Sequence, residues 1–118
     1  MKRLIIILGI LMAATVSTFA LETPQYPGGD EALEKYIATN LKYPTQAREN
    51  GIEGVVTVCF IVNTDGKLSD IKIEHMVDPD LEEEALRLVK GMPAWTPADK
   101  GGNVVAAPGK VSVTFSLE

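Results

Sequence analysis

Gly54-Val55-Val56-Thr57-Val58-Cys59-Phe60-Ile61-Val62 decides the fold of this chain. The run is almost wholly apolar and rich in β-branched residues, and the turn formers Asn63-Thr64-Asp65-Gly66 follow it. That composition and those boundaries predict a strand. Alternation places Val56, Val58, Phe60 and Val62 on one face and Val55, Thr57, Cys59 and Ile61 on the other. Neither face is polar, which predicts a central strand with a neighbour on each side.

Toward the C-terminus, Asp65-Gly66 predicts a two-residue hairpin turn into a second strand, Leu68 to about His75. In that register Phe60 faces Ile71 and Val58 faces Ile73, so the apolar faces match. Asp70, Lys72 and Glu74 take the other face and suit a sheet edge, where charge discourages foreign strands. Asp78-Pro79-Asp80 opens a helix. Its cap is either Asp80 with Glu83 in a capping box or Asp78 with Pro79 at the first helical position. Leu81, Ala85, Leu88, Val89 and Met92 form the apolar stripe of this helix, and Glu82, Glu83, Glu84, Arg87 and Lys90 its expected wet side. Gly91 and Pro93 stop it. Pro93 to Pro97 is a rigid connector, and its Trp95, the only tryptophan, is expected to plug the core. Asp99 to Asn103 is expected to be a turn. Val104 to Leu117 is the last expected strand, interrupted at Pro108-Gly109 because proline cannot donate to a ladder.

Toward the N-terminus, residues 21–28 hold two prolines and predict an extended lead-in. A first helix is expected from Gly29-Asp30 with Asp30 as its N-cap. Leu33, Tyr36, Ile37 and Leu41 make one helical stripe. Tyr43-Pro44 ends it, because a residue before proline is pushed out of the helical region. Thr45 to Asn50 is expected to add one more turn before Gly51. Together these elements predict an α+β domain: a three-stranded antiparallel sheet, order 2-1-3, with two helices packed on one face.

Met1-Lys2-Arg3, the apolar run Leu4 to Ala14 and the small residues up to Ala20 predict a signal peptide over residues 1–20, cleaved after Ala20. The alternative is an uncleaved inner-membrane anchor over residues 4–20, although the apolar run is short of the roughly 20 residues a span needs. Cleavage takes 20 of 118 residues and leaves 98, enough for one core, with the domain itself over residues 29–118. Losing Lys2 and Arg3 leaves nine bases against sixteen acids, a charge of −7. That balance argues against nucleic acid as a partner. A single cysteine cannot form an internal disulfide.

Parts for catalysis are missing. There is one histidine and one cysteine. His75 is expected on the core-facing side of the second strand and Cys59 on the opposite face, so they make neither a nucleophile–base pair nor a metal site. Glu82-Glu83-Glu84 suits a solvated helix face, and no glycine-rich phosphate loop follows a strand. The expectation is a non-enzyme with no cofactor, metal or small-molecule substrate. What remains is the last strand. No charged side chain occurs from Val111 to Leu117, so its open edge is a template for strand addition. Val111, Val113 and Phe115 would anchor it to the core while Ser112, Thr114 and Ser116 face out. Of the Ser112 and Thr114 amides, one is expected to face the neighbouring strand and the other outward. The alternative is an edge covered by a terminus or closed by self-association into a homodimer.

Several stretches, in order, resemble the C-terminal domain of TonB: Tyr43-Pro44, Ala47, Gly51-Ile52-Glu53-Gly54, the alternating Val56, Val58, Phe60 and Val62, and Asp65-Gly66-Lys67-Leu68. Leu81, Glu84-Ala85-Leu86, Pro93 with Trp95 and Pro97, and Val113, Phe115 and Leu117 complete the set. The resemblance covers about Tyr43 to Leu117. It implies a periplasmic domain that grips the TonB box of outer-membrane receptors by adding it as a strand to the last strand, in energy-transducing transport. It also implies that Tyr43, Pro44 and Arg48 lie beside the box. Arg48 stands where well-known full-length members carry glutamine, which changes the contacts available there. The N-terminal segment lacks the histidine of a transducer's anchor, and residues 21–29 reach only about 30 Å when extended. The expectation is therefore a free-standing TonB-type domain; the alternative is a periplasmic interaction domain, not coupled to transport, that uses the same edge to bind itself or a different exported protein.

Overall fold

The computed structural model describes residues 21–117, and the signal peptide expected over residues 1–20 lies outside them. Nine elements follow one another: β1 (Leu21–Glu22), α1 (Asp30–Asn40), α2 (Thr45–Glu49), β2 (Gly54–Val62), β3 (Leu68–Ile73), α3 (Pro79–Lys90), β4 (Ala98–Lys100), β5 (Asn103–Val105) and β6 (Ala107–Phe115). The main sheet is antiparallel with the order β3-β2-β6. The strand that is apolar on both faces is central, as its composition predicts. Val56, Val58, Phe60 and Val62 are buried beneath the helices, whereas Val55 on the other face is half exposed. Thr57, Cys59 and Ile61 on that other face are half-buried.

The hairpin differs from the simplest reading in an instructive way. Its loop is Thr64-Asp65-Gly66, one residue longer than expected, closed by the Asn63 N–H donating to the Lys67 carbonyl (2.9 Å). Gly66 has a φ of 87°, as the last position of such a loop requires. Its carbonyl also accepts from the Trp95 amide (2.9 Å). The added residue shifts the pairing near the loop to Ile61 with Ser69 and Val62 with Leu68. A bulge then restores the expected register, so that Val58 does pair with Ile73. Asp70 sits at this bulge with a φ of 50°, a conformation Asp tolerates better than most residues. The extra residue is thus absorbed without turning the apolar face outward. β3 ends at Ile73, and His75 beyond it is exposed rather than core-facing.

Helix α3 is capped by Asp78, whose carboxylate accepts from the Asp80 and Leu81 amides (3.0 and 3.2 Å), with Pro79 at the first position. The capping box at Asp80 does not form. Leu81, Ala85, Leu88 and Val89 are buried against the sheet. Helix α1 is capped by Gly29, with Asp30 inside the first turn rather than at the cap. Leu33, Tyr36 and Ile37 pack partly buried against the same core, and the Tyr36 hydroxyl donates to the Leu88 carbonyl on α3 (2.8 Å). Both longer helices therefore cover one face.

A second sheet was not legible in the sequence. β4 and β5 form a hairpin around Gly101-Gly102, and β1 pairs with β4, giving the order β1-β4-β5. The stretch 21–28 is extended and docked: Gln25 and Thr96 exchange two backbone hydrogen bonds (3.0 and 2.7 Å). Tyr26 is buried and meets Trp95 edge-on at 6.0 Å, and Phe60 meets Trp95 at 5.1 Å. Trp95 is the expected core plug, 6 % exposed. The expected last strand divides at Ala106 into β5 and β6, and no break occurs at Pro108-Gly109. Gly109 faces Phe60, where a Cβ would lie 2.8 Å from the ring. The glycine makes room for the aromatic rather than ending the strand.

Candidate functional site

The ladder of the main sheet fixes which way each backbone group on β6 points. The Glu74 N–H donates to the Thr57 carbonyl, and Asn63 pairs likewise with Lys67. Backbone groups of the odd-numbered residues on β2 therefore face β3, and those of Val56, Val58 and Phe60 face β6. Their partners are Val113, Val111 and Gly109. It follows that Lys110, Ser112 and Thr114 turn their N–H and C=O groups away from β2. Ser112 and Thr114 share this direction, so the expectation that one amide faces inward fails; residues two apart on a strand point the same way. Pro108 has the same parity. Its missing N–H lies on the outer edge and leaves the β2–β6 ladder complete. No strand among the described residues pairs with the outer edge of β6.

Side chains divide along the same strand. Val111, Val113 and Phe115 are buried, at most 3 % exposed. Ser112, Thr114 and Ser116 are exposed. The Ser112 hydroxyl lies 3.2 Å from that of Thr57 across the open face. At the end of the strand the Leu117 N–H donates to the Glu53 carboxylate (2.9 Å).

The Tyr43 ring packs edge-on against Phe115 at 5.6 Å, and its hydroxyl donates to the Ile52 carbonyl. This contact sets Tyr43-Pro44 at the C-terminal end of β6. Burial, then the nearby Glu53, push the Tyr43 phenol above its usual range, and Arg48 acts in the opposite direction. Pro44 caps the five-residue α2, and Arg48 is exposed in its last turn. Tyr43, Pro44 and the end of β6 are thus brought together, with Arg48 near enough to act on the Tyr43 phenol.

One residue that fixes this arrangement is Glu84, expected on the wet side of α3. Glu84 is 8 % exposed, not on the wet side. Its carboxylate accepts from the Lys42 backbone N–H (2.7 Å) and from Arg87 at 2.8 and 2.7 Å. Arg87 also donates to the Asn40 carbonyl (2.8 Å). Burial alone would raise the Glu84 pKa, but the Arg87 hydrogen bonds and the Lys42 amide outweigh it and hold the group below its usual range. The clamp ties the α1–α2 junction, and with it Tyr43, to α3. The signal was available: Glu84 lies three residues after Leu81 and four before Leu88, on the border of the apolar stripe.

The class defined here is a small α+β domain with one long strand edge that is unpaired among the described residues. A family model described as the Gram-negative bacterial TonB protein C-terminal matches residues 39–117, and the chain belongs to that family. It is 30 % identical over 76 residues to protein TonB of Pseudomonas aeruginosa, covering 64 % of this chain and 22 % of that protein. It is 37 % identical over 59 residues to protein TonB of Helicobacter pylori strain J99, covering 49 % of this chain and 21 % of that protein. The chain therefore spans about a fifth of the length of these relatives. The solution structure of the Helicobacter pylori TonB C-terminal domain superposes with a TM-score of 0.55 at 28 % identity, covering 72 % of this chain and 77 % of that one. No helix among the described residues is long and apolar enough to cross a membrane.

Proposed function

We propose that this is a periplasmic TonB-type binding domain that takes up the TonB box of an outer-membrane receptor as an added strand on β6. The observation that carries this is the outward row of backbone groups at Lys110, Ser112 and Thr114, on a strand whose inner side chains are locked into the core. Added strands draw affinity from main-chain bonds and selectivity from alternate side chains. Tyr43, Pro44 and Arg48, at the end of the edge, meet the chain entering or leaving the added strand. Binding of this kind needs neither cofactor nor catalytic group.

Titrating a synthetic TonB-box peptide into isotope-labelled protein tests it. The expected result is amide shifts concentrated at residues 110–116 and around Tyr43 to Arg48. Shifts centred on β3 instead, or none at millimolar peptide, would reject the proposal. β6 amide positions that change with protein concentration in the absence of peptide would favour self-pairing of the same edge.

A further inference from the structure

Edge strands are commonly protected by lysine, whose long charged side chain makes a neighbouring strand costly to add. β6 has one charged residue, Lys110, the first donor of the outward row. It does not stand guard. Its ammonium lies 3.2 Å from Glu74 Oε1. Glu74 directly follows β3, on the far side of the sheet, and pairs through its N–H with Thr57 on β2. Strands lie about 4.8 Å apart, so this contact draws the lysine inward across β2, away from the edge it would otherwise cover. Glu74 is itself held in place. Cys59 Sγ on β2 donates to the same carboxylate oxygen at 3.5 Å, and His75 Nε2 lies 3.8 Å from the other oxygen. β2, β6 and the residue that follows β3 thus contribute to one cross-sheet contact on the face the helices leave open.

We propose that Glu74 is a positioning residue for strand addition: it keeps the receiving edge of β6 accessible by pinning Lys110 over the sheet. It touches no partner itself. The inference rests on strand addition at β6 being the binding mode, and it makes a residue on the opposite edge control the receptive one. Replacing Glu74 by lysine turns attraction into repulsion and sends the Lys110 side chain back to the edge.

The test compares wild type, Glu74→Lys, Lys110→Ala and the double variant. Each is titrated with the same synthetic TonB-box peptide while the backbone amides at positions 110, 112 and 114 are followed. Position 74 is exposed, so the variants should keep the wild-type melting temperature. Glu74→Lys should weaken binding about two- to fivefold, the scale of an exposed ion pair. Removing Lys110 in that background should restore the affinity to within about twofold of wild type. Unchanged affinity in Glu74→Lys, with the peptide still shifting the β6 amides, would overturn this inference alone. A loss that Lys110→Ala does not rescue would overturn it too. If the wild-type β6 amides do not respond, strand addition itself fails, and the role of Glu74 falls with it.

Discussion

The two edges of the main sheet are built from opposite instructions. β3 is six residues long, alternates Asp70 and Lys72 outward, and is kinked at Asp70 by a left-handed backbone. β6 is nine residues long, pairs with β2 residue for residue without a bulge, and carries one charge, which is drawn inward. Short, charged and bulged edges resist pairing, whereas long, regular and uncharged ones invite it. The bulge that re-registers the hairpin also bends the edge that is not needed. One sheet thus presents one closed side and one open side.

Four comparisons sharpen or break that contrast. The largest effect should come from Phe115→Ala. Phe115 is 1 % exposed and holds the end of β6 and Tyr43 together, so its loss should cost about 3–5 kcal/mol. Ile73→Ala at the matching end of β3 removes a partly buried side chain and should cost about half as much. Denaturant melts of the two variants measure the difference; equal losses would mean that the edges are not held unequally.

Glu84→Ala should come next, at about 1–3 kcal/mol, because it strands the Lys42 amide and the Arg87 guanidinium. It should also perturb the Tyr43 ring signals while sparing those of β3. The same carboxylate gives a pH signature. Its folded pKa lies below the ordinary value of 4.5, so its contribution is complete above that value and is lost as pH falls through the folded pKa. Wild-type stability should therefore drop on acidification in this window, and the Glu84→Gln variant should drop less.

Asp70→Val puts a β-branched residue at a φ of 50° and should cost about 1–2 kcal/mol. Asp70→Gly should be neutral or stabilising by comparison. If valine is tolerated without loss, the bulge is not what shapes the β3 edge.

Ser112→Pro should have the smallest effect on stability, under about 1 kcal/mol, since the lost N–H points away from β2 as at Pro108. The same variant should lose most of its affinity for a TonB-box peptide. Val113→Pro, one residue on, removes an inward donor and should melt far earlier. Should the two prolines destabilise equally, the assigned direction of the β6 amides is wrong.

Periodicity carried most of the fold. Val56 to Val62, Leu81 to Val89 and Val111 to Phe115 bury the faces their spacing prescribes, because each is long enough to repeat its period. The second sheet has strands of two or three residues, and no period shows over that length. Its β1–β4 pairing, Glu22 with Asp99, and the neighbouring Gln25–Thr96 bridge join residues far apart in the chain that no local pattern links. At the candidate site, the buried residues Val111, Val113 and Phe115 were legible, and so was the lack of charge beyond Lys110. The direction of each amide was not, because it depends on a hydrogen bond between Glu74 and Thr57 rather than on side-chain type. Glu84 was misread for a related reason: a carboxylate is placed by its partners, here Arg87 and a backbone N–H some forty residues away.

The docking of Gln25 and Tyr26 on the connector has a mechanical consequence. Tension entering the domain from the residue-21 side meets the β1–β4 pair first, then the doubled Gln25–Thr96 bond and the Tyr26 ring wedged against Trp95. The Trp95 amide in turn grips the hairpin loop at Gly66. A pull applied at residue 21 would therefore be delivered near the loop end of β2, whereas Tyr43 and Phe115 stand at the other end of the central strand. A load applied at one end and resisted at the other runs along β2 and its ladders, so the inter-strand bonds share it in shear instead of peeling one by one.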